Sequence, residues 1–202
     1  SDGQVTEFQI AASSFQYVDF SRCFFQFKVK IVKSASGKDV EKTDKITFVN
    51  MPFCAFFRQC DVYLNQTLLT DGINIHYGFK AYLDCILNHS QQYLETQGEA
   101  FMFYKDKSGA FDDVKFAEGQ GNPATLSRFK LTSAGEAITI ETPLFIDLSL
   151  MTQYLVSGID IRVVFHPADH KLALLRGEGE NDLYKYVITD QVLNIQYVEP
   201  SA

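Results

Sequence analysis

The residues of this sequence with chemical potential are few and scattered. His166 and His170 flank Pro167-Ala168-Asp169. An H-x3-H spacing binds zinc when both imidazoles share one helical face. Pro167 argues against a helix there, and no Cys or Glu nearby completes a ligand set. Asp112-Asp113 and Glu178-Gly179-Glu180 are acidic clusters of the kind that hold calcium or exchange protons. They sit in Gly-rich polar stretches without the ligand spacing of a calcium loop, so solvated loops are the better reading. Gly177-Glu178-Gly179 and Gly119-Gln120-Gly121 resemble phosphate-binding loops in their glycines alone. Such a loop needs a strand before it and a helix after it, and neither place reads that way. No G-x-S-x-G nucleophile elbow occurs. Cys23, Cys54, Cys60 and Cys85 lie in apolar stretches without a C-x-x-C pair. They read as buried, reduced thiols of an intracellular protein, placed for packing and not for attack. The expectation is a chain with no catalytic residue, no cofactor and no metal site.

Composition narrows the function classes further. The net charge is −7, with 25 Asp and Glu against 18 Lys and Arg. A nucleic-acid binder neutralises phosphates with a basic face, so the domain as a whole should repel DNA. Hydrophobic residues make up 46% of the 202, enough for a sizeable core and against disorder. No run of apolar residues is long enough for a transmembrane helix, and Ser1-Asp2-Gly3 is not a signal peptide. The sequons at Asn65-Gln66-Thr67 and Asn88-His89-Ser90 carry little weight without a secretory signal. Eighteen Phe and ten Tyr favour strands, where flat side chains suit a pleated surface.

The elements follow from periodicity. Residues 22–33, RCFFQFKVKIVK, place Cys23, Phe25, Phe27, Val29 and Ile31 on one face and Gln26, Lys28 and Lys30 on the other. That is a half-buried strand. An earlier strand spans 5–10, and 34–46 is a polar loop. Residues 56–64 alternate again, and Asn65-Gln66 turns the chain into a short return at 67–69. Residues 74–88 break the pattern: Ile75, Phe79, Tyr82, Leu83 and Ile86 form one face of an amphipathic helix. Asn74 or Asp71 is the expected cap, and Gly78 weakens the helix. Residues 89–127 read as a long excursion with some local structure. Strands are expected at 128–132 and 137–141 around Ser133-Ala134-Gly135. Asp147 is expected to cap a helical turn that Gly158 ends. Residues 159–165 alternate, and a polar loop follows at 166–182. The last strand covers 184–198, with a β-bulge near Thr189–Gln191 where its face changes.

About eight strands, one helix and no βαβ rhythm predict an all-β fold in one domain over 1–202. The specific expectation is an eight-stranded antiparallel jelly-roll sandwich with one inserted helix and long loops. The stretch FVNMPFCAFF at 48–57 is apolar on both faces, which predicts an outer sheet face covered by a neighbour. The helix at 74–88, the excursion at 89–127 and the loop at 166–183 are the expected contact elements, because a sandwich core does not require them.

Several blocks then resemble one family. The opening SDGQVTEFQIAASSFQYVDFSRCFFQFKVKIV resembles the start of major capsid proteins of Polinton/Maverick elements and adintoviruses: a strand, a Y-x-D-hydroxyl step (here Tyr17-Val18-Asp19-Phe20-Ser21), then an alternating strand ending K-x-K-I-V. MPFCAFFRQCDVYLNQTLL is similar to the family's V-D-V-Y-L-N strand, and IHYGFKAYLDCILNHS to its Y-x-Y-R-A-Y-L-x-x-L-L-N-Y helix. FYKDKSGAFDD resembles its W-Y-K-D block, TPLFIDLSLMTQYLVSGIDIRVVF its D-L-F-x-Q-x-R-Y-L-L-N-G-V-D-L-R-I block, and YKYVITDQVLNIQYVEPS its closing strand. The order is preserved along nearly the whole chain. Phe103 stands where the family has Trp, Lys80 where it has Arg, and Ser149 where it often has an aromatic residue.

The resemblance implies a structural protein, not an enzyme. It implies an icosahedral shell of a double-stranded DNA virus or virus-like transposon, assembled inside the host cell and located in the virion. Family members are similar to adenovirus-type hexons, with two jelly rolls per chain that trimerise into pseudo-hexameric capsomers. This chain resembles the first jelly roll, without a short N-terminal lead and ending at Pro200-Ser201-Ala202 near the join to the second. The implied partners are further copies of itself, neighbouring capsomers and the second jelly roll, with no direct nucleic acid and no membrane. Two rival readings stay open. A β-sandwich adhesion or carbohydrate-binding module is weakly disfavoured by the absence of Trp. A cupin-type enzyme would need a His/Glu metal cluster that His76, His89, His166 and His170 do not supply.

Overall fold

The structure, a computed structural model, describes residues 5–70, 76–119, 121–178 and 183–199. In chain order its elements begin with β1 (Thr6–Ile10), β2 (Tyr17–Val18), β3 (Phe24–Lys33), β4 (Ile46–Phe48), α1 (Pro52–Phe56), β5 (Phe57–Leu64) and β6 (Thr67–Leu68). Then come α2 (Tyr77–Asn88), α3 (Gln91–Thr96), α4 (Pro123–Thr132), β7 (Ile138–Pro143), β8 (Ile161–Pro167), β9 (Leu174–Arg176), β10 (Tyr184–Asn194) and β11 (Tyr197–Val198).

Alternating segments fold as they read. Phe25, Phe27, Val29 and Ile31 of β3 are buried, while Lys28 between them is exposed. In β8, Ile161, Val163 and Phe165 are buried. Asn65 and Gln66 both adopt positive φ, 46° and 67°, so the β5–β6 hairpin closes through a turn of the type that matches strand twist. The expected bulge in the last strand is present: the β10–β3 register shifts between Thr189 and Val192, and Asp190 takes φ 50°.

All pairings are antiparallel, in four sheets among the described residues. One sheet has the order β1-β8-β5-β6, a second β10-β3-β7, and β11-β2 and β4-β9 are short pairs. Three of the pairings are nested in the chain, β5–β6 within β3–β7 within β1–β8, and the β10–β3 and β5–β8 pairings tie the nest together. The two larger sheets face each other through aromatic rings. Phe25 of β3 stacks on Phe165 of β8 with centroids 5.1 Å apart, and Phe27, Phe53, Phe56, Phe57 and Tyr186 extend the cluster. Each fully buried Phe contributes roughly 1.5–3 kcal/mol, so this cluster dominates the core.

Four expectations need correction. Eleven strands among the described residues replace eight, because β2, β4 and β9 are too short to carry a period and the closing segment splits into β10 and β11. Four α-helices among the described residues replace one. Residues 128–132 are helical, not extended. Asn122 caps α4 by accepting from the Ala124 N–H, Pro123 fits the first turn, and the inward face is polar: Thr125, Arg128 and Thr132. An apolar period cannot find a helix buried through polar residues. Finally, the two-sided apolarity of 48–57 comes from α1, whose Phe53 and Phe56 turn into the core, and not from a covered sheet face.

Candidate assembly surface

The sequence motifs are dispersed by the fold. His166 lies next to the end of β8 and sits 2.8 Å from the buried carboxylate of Asp61, while His170 opens a 3₁₀ turn and packs edge-on against Tyr186. The two imidazoles therefore serve different neighbours. No group of three or more His, Cys, Asp or Glu is arranged to hold a metal among the described residues. Asp113 is occupied locally, accepting from the Lys115 N–H at 2.9 Å. Gly119 and Gly121 do precede a helix, α4, but its free N–H at Ala124 is already bound by the Asn122 side chain. Gln120, Gly179, Glu180 and the proposed caps Asp71 and Asn74 lie outside the described residues.

All four cysteines are free thiols. Burial raises the pKa of Cys23, Cys54 and Cys60, and pushes Cys85 up to about 12. A thiol held protonated is a poor nucleophile. Cys85 and Ala81 instead serve as small inward-facing residues of α2.

That helix is where the structure departs most from the periodicity. Of the expected apolar face, Phe79, Tyr82, Leu83 and Ile86 point outward, and Ile75 lies outside the described residues. Phe79 is 75% exposed and Leu87 75%, with Tyr82, Leu83 and Ile86 exposed between them. The buried row is Tyr77, Ala81 and Cys85, at i, i+4 and i+8. Small residues let α2 lie tightly on the end of the sandwich, where Tyr77 donates to the Leu144 carbonyl and meets Phe53 and Phe165. Burial holds the Tyr77 phenol well above its ordinary pKa, so it remains a donor. On one flank of α2, Lys80 lies 2.6 Å from Asp84 and 3.0 Å from Asp147. Asp147 thus pairs with Lys80 and does not cap its 3₁₀ turn (Asp147–Leu150), which starts after Ile146. Gly158 does take positive φ, 83°, well beyond that turn.

On the other flank a mainly apolar cleft of about 360 Å³ opens beside Gly78 and Tyr82. Its walls include Met51, Cys54, Ala55 and Leu172. Two of the expected contact segments, the helix at 74–88 and the loop at 166–183, therefore meet at one place. The third, the excursion at 89–127, is pinned by a polar knot. Asp106 accepts from Asn122 at 2.6 Å and from Asn50 at 2.9 Å, and lies 3.5 Å from the buried Arg128 guanidinium. Arg128 also donates to the Phe48 carbonyl and to Thr125. No spacing rule in the sequence marks this knot, because its members come from three separate segments.

No helix among the described residues is long and apolar enough to cross a membrane. Compared with models of known protein families and with curated protein sequences, the chain finds no match.

Proposed function

We propose that this chain is a shell-building capsid domain of jelly-roll type that works by assembling with further copies of itself, and that its role is structural and not catalytic. The observation that carries the reading is the outward apolar row on α2. Five large apolar side chains are exposed in one stripe, and contiguous patches of this kind mark protein contacts. The strand order supports the jelly-roll part. If β1, β3, β5, β6, β7, β8 and β10 are lettered C to I, the two larger sheets read C-H-E-F and I-D-G. Lettered in that way, the order supports a jelly roll whose first strand is left out. The resemblance of the ordered sequence blocks to Polinton and adintovirus capsid proteins points the same way. Trimeric or pseudo-hexameric capsomers of a virion are the form of assembly this reading implies, with hydrophobic burial as the driving force.

The test is electron microscopy of the purified chain together with its solution mass over a range of concentration and salt. Because each copy carries a net charge of −7, screening should favour assembly. Three-fold capsomers, sheets or closed shells are the expected result. A chain that forms no higher-order species at any concentration or ionic strength overturns the reading, and ligand screening for a binding module would then take its place.

A further inference from the structure

We infer that the exposed face of α2 binds the same face of a second copy of this chain, as an antiparallel helix pair with its two-fold axis at Tyr82. The inference rests on the self-assembly reading above and names the contact that it leaves open.

The stripe has the spacing of a helix that packs on a helix. Phe79, Tyr82, Leu83, Ile86 and Leu87 fall at i, i+3, i+4, i+7 and i+8, and all are exposed. Their exposed parts amount to roughly 500 Å², taking a whole aromatic side chain as about 150–250 Å². Two copies would bury about 1,000 Å² together, the lower bound of a specific protein interface.

What selects a second copy is the symmetry of the flanks. Lys80 and Asp84 lie on one flank, joined by their own ion pair, two residues before and two residues after Tyr82. Gly78, Tyr82 and Ile86 form the row along the other flank, beside the cleft at its Gly78 end. Successive residues rise about 1.5 Å along a helix. A two-fold axis at Tyr82 therefore sets Lys80 of one copy beside Asp84 of the other, twice. It also lays Ile86 of each copy over the cleft next to Gly78 of the other. In an isologous contact, whatever residue i gives to j is returned. Asp147 lies on the same flank, 3.0 Å from Lys80, so each Lys80 of the pair is set between carboxylates of its own copy and of its partner, which offsets part of the repulsion between acidic chains.

Three samples test this: wild type, Leu83→Asp and Tyr82→Cys. Wild type should self-associate in sedimentation, and Leu83→Asp should weaken that association at least about a hundred-fold, since it places a carboxylate near the centre of the contact in both copies. At a dilution where wild type is dissociated, the thermal midpoint of this variant should lie close to that of wild type, because Leu83 is half exposed and is not one of the buried core residues. Tyr82→Cys, with the new thiol at the axis, should cross-link to itself under mild oxidation while wild type does not. Association that survives Leu83→Asp, with no cross-link at Tyr82→Cys, overturns the helix pair but leaves self-assembly standing. A helix pair that forms without any larger species supports the contact and overturns the shell. A wild type that stays monomeric at all concentrations overturns both.

Discussion

Gly78 of α2 sits against the backbone of Cys54 in α1: a Cβ on Gly78 would lie 2.1 Å from the Cys54 carbonyl oxygen. No real side chain makes such a contact, and the obstacle is backbone, which cannot swing aside. The glycine that weakens α2 as an isolated helix is thus what allows the helix to dock. Gly78→Ala should destabilise the fold by about 2–3 kcal/mol or more, as forced overpacking does. Chemical denaturation with a circular-dichroism readout measures it. A change within about 0.5 kcal/mol would mean that α2 does not approach α1 this closely.

The two faces of α2 should respond oppositely to substitution. Leu87→Ser on the exposed row should change stability by no more than about 0.5 kcal/mol. Ala81→Leu, on a residue with no exposure, should cost about 1–3 kcal/mol. If the conventional amphipathic reading held instead, Leu87→Ser would be the damaging change.

Arg128 is almost fully buried, between Asp106, Thr125 and the Phe48 carbonyl. Arg128→Ala removes one partner of a buried ion pair and leaves the other in place. The expected loss is about 3–5 kcal/mol. Replacing Asp106 as well should cost less than the sum of the two single changes, a coupling that a double-mutant cycle reads directly.

Acid sensitivity should trace in part to Asp44. Burial alone would raise its carboxyl pKa, but the Glu41 backbone N–H and the Lys33 ammonium, 3.0 Å away, hold it below the ordinary Asp value. A depressed folded-state pKa gives stability that is fully present above the unfolded value and lost as pH falls through the folded one. Wild type should therefore lose stability as pH drops below the usual carboxylate range. Asp44→Asn should be less stable near neutrality and show a flatter decline below it. Parallel pH curves for the two proteins would remove Asp44 from the account.

The thiols offer a direct probe of the core. With Cys60 and Cys85 buried and every thiol pKa raised, alkylation at pH 8 should be slow in the folded chain and fast for all four in denaturant. Rapid labelling of two or more cysteines under native conditions would contradict the burial described.

The sequence by itself determined what depends on local periodicity and turn chemistry. It places strands at 22–33, 56–64 and 159–165, each within two residues of Phe24–Lys33, Phe57–Leu64 and Ile161–Pro167, because a period of two leaves few ways to divide the faces. It also places the Asn65-Gln66 turn and a bulge near Thr189–Gln191, where the pattern changes phase and the register shifts between Thr189 and Val192. Tertiary structure decided what periodicity cannot encode. The stripe on α2 is the same whether it faces a core or a partner; the close contact at Gly78 and the small residues Ala81 and Cys85 turn it outward. Helix α4 escaped notice because its buried face is polar, and polar groups are drawn into a core by partners from distant segments, as the Nε and Nη2 of Arg128 are by Phe48 and Asp106. The physical reason is one of range: alternation and turns are settled by neighbours along the chain, whereas which face is covered depends on what the rest of the fold brings against it.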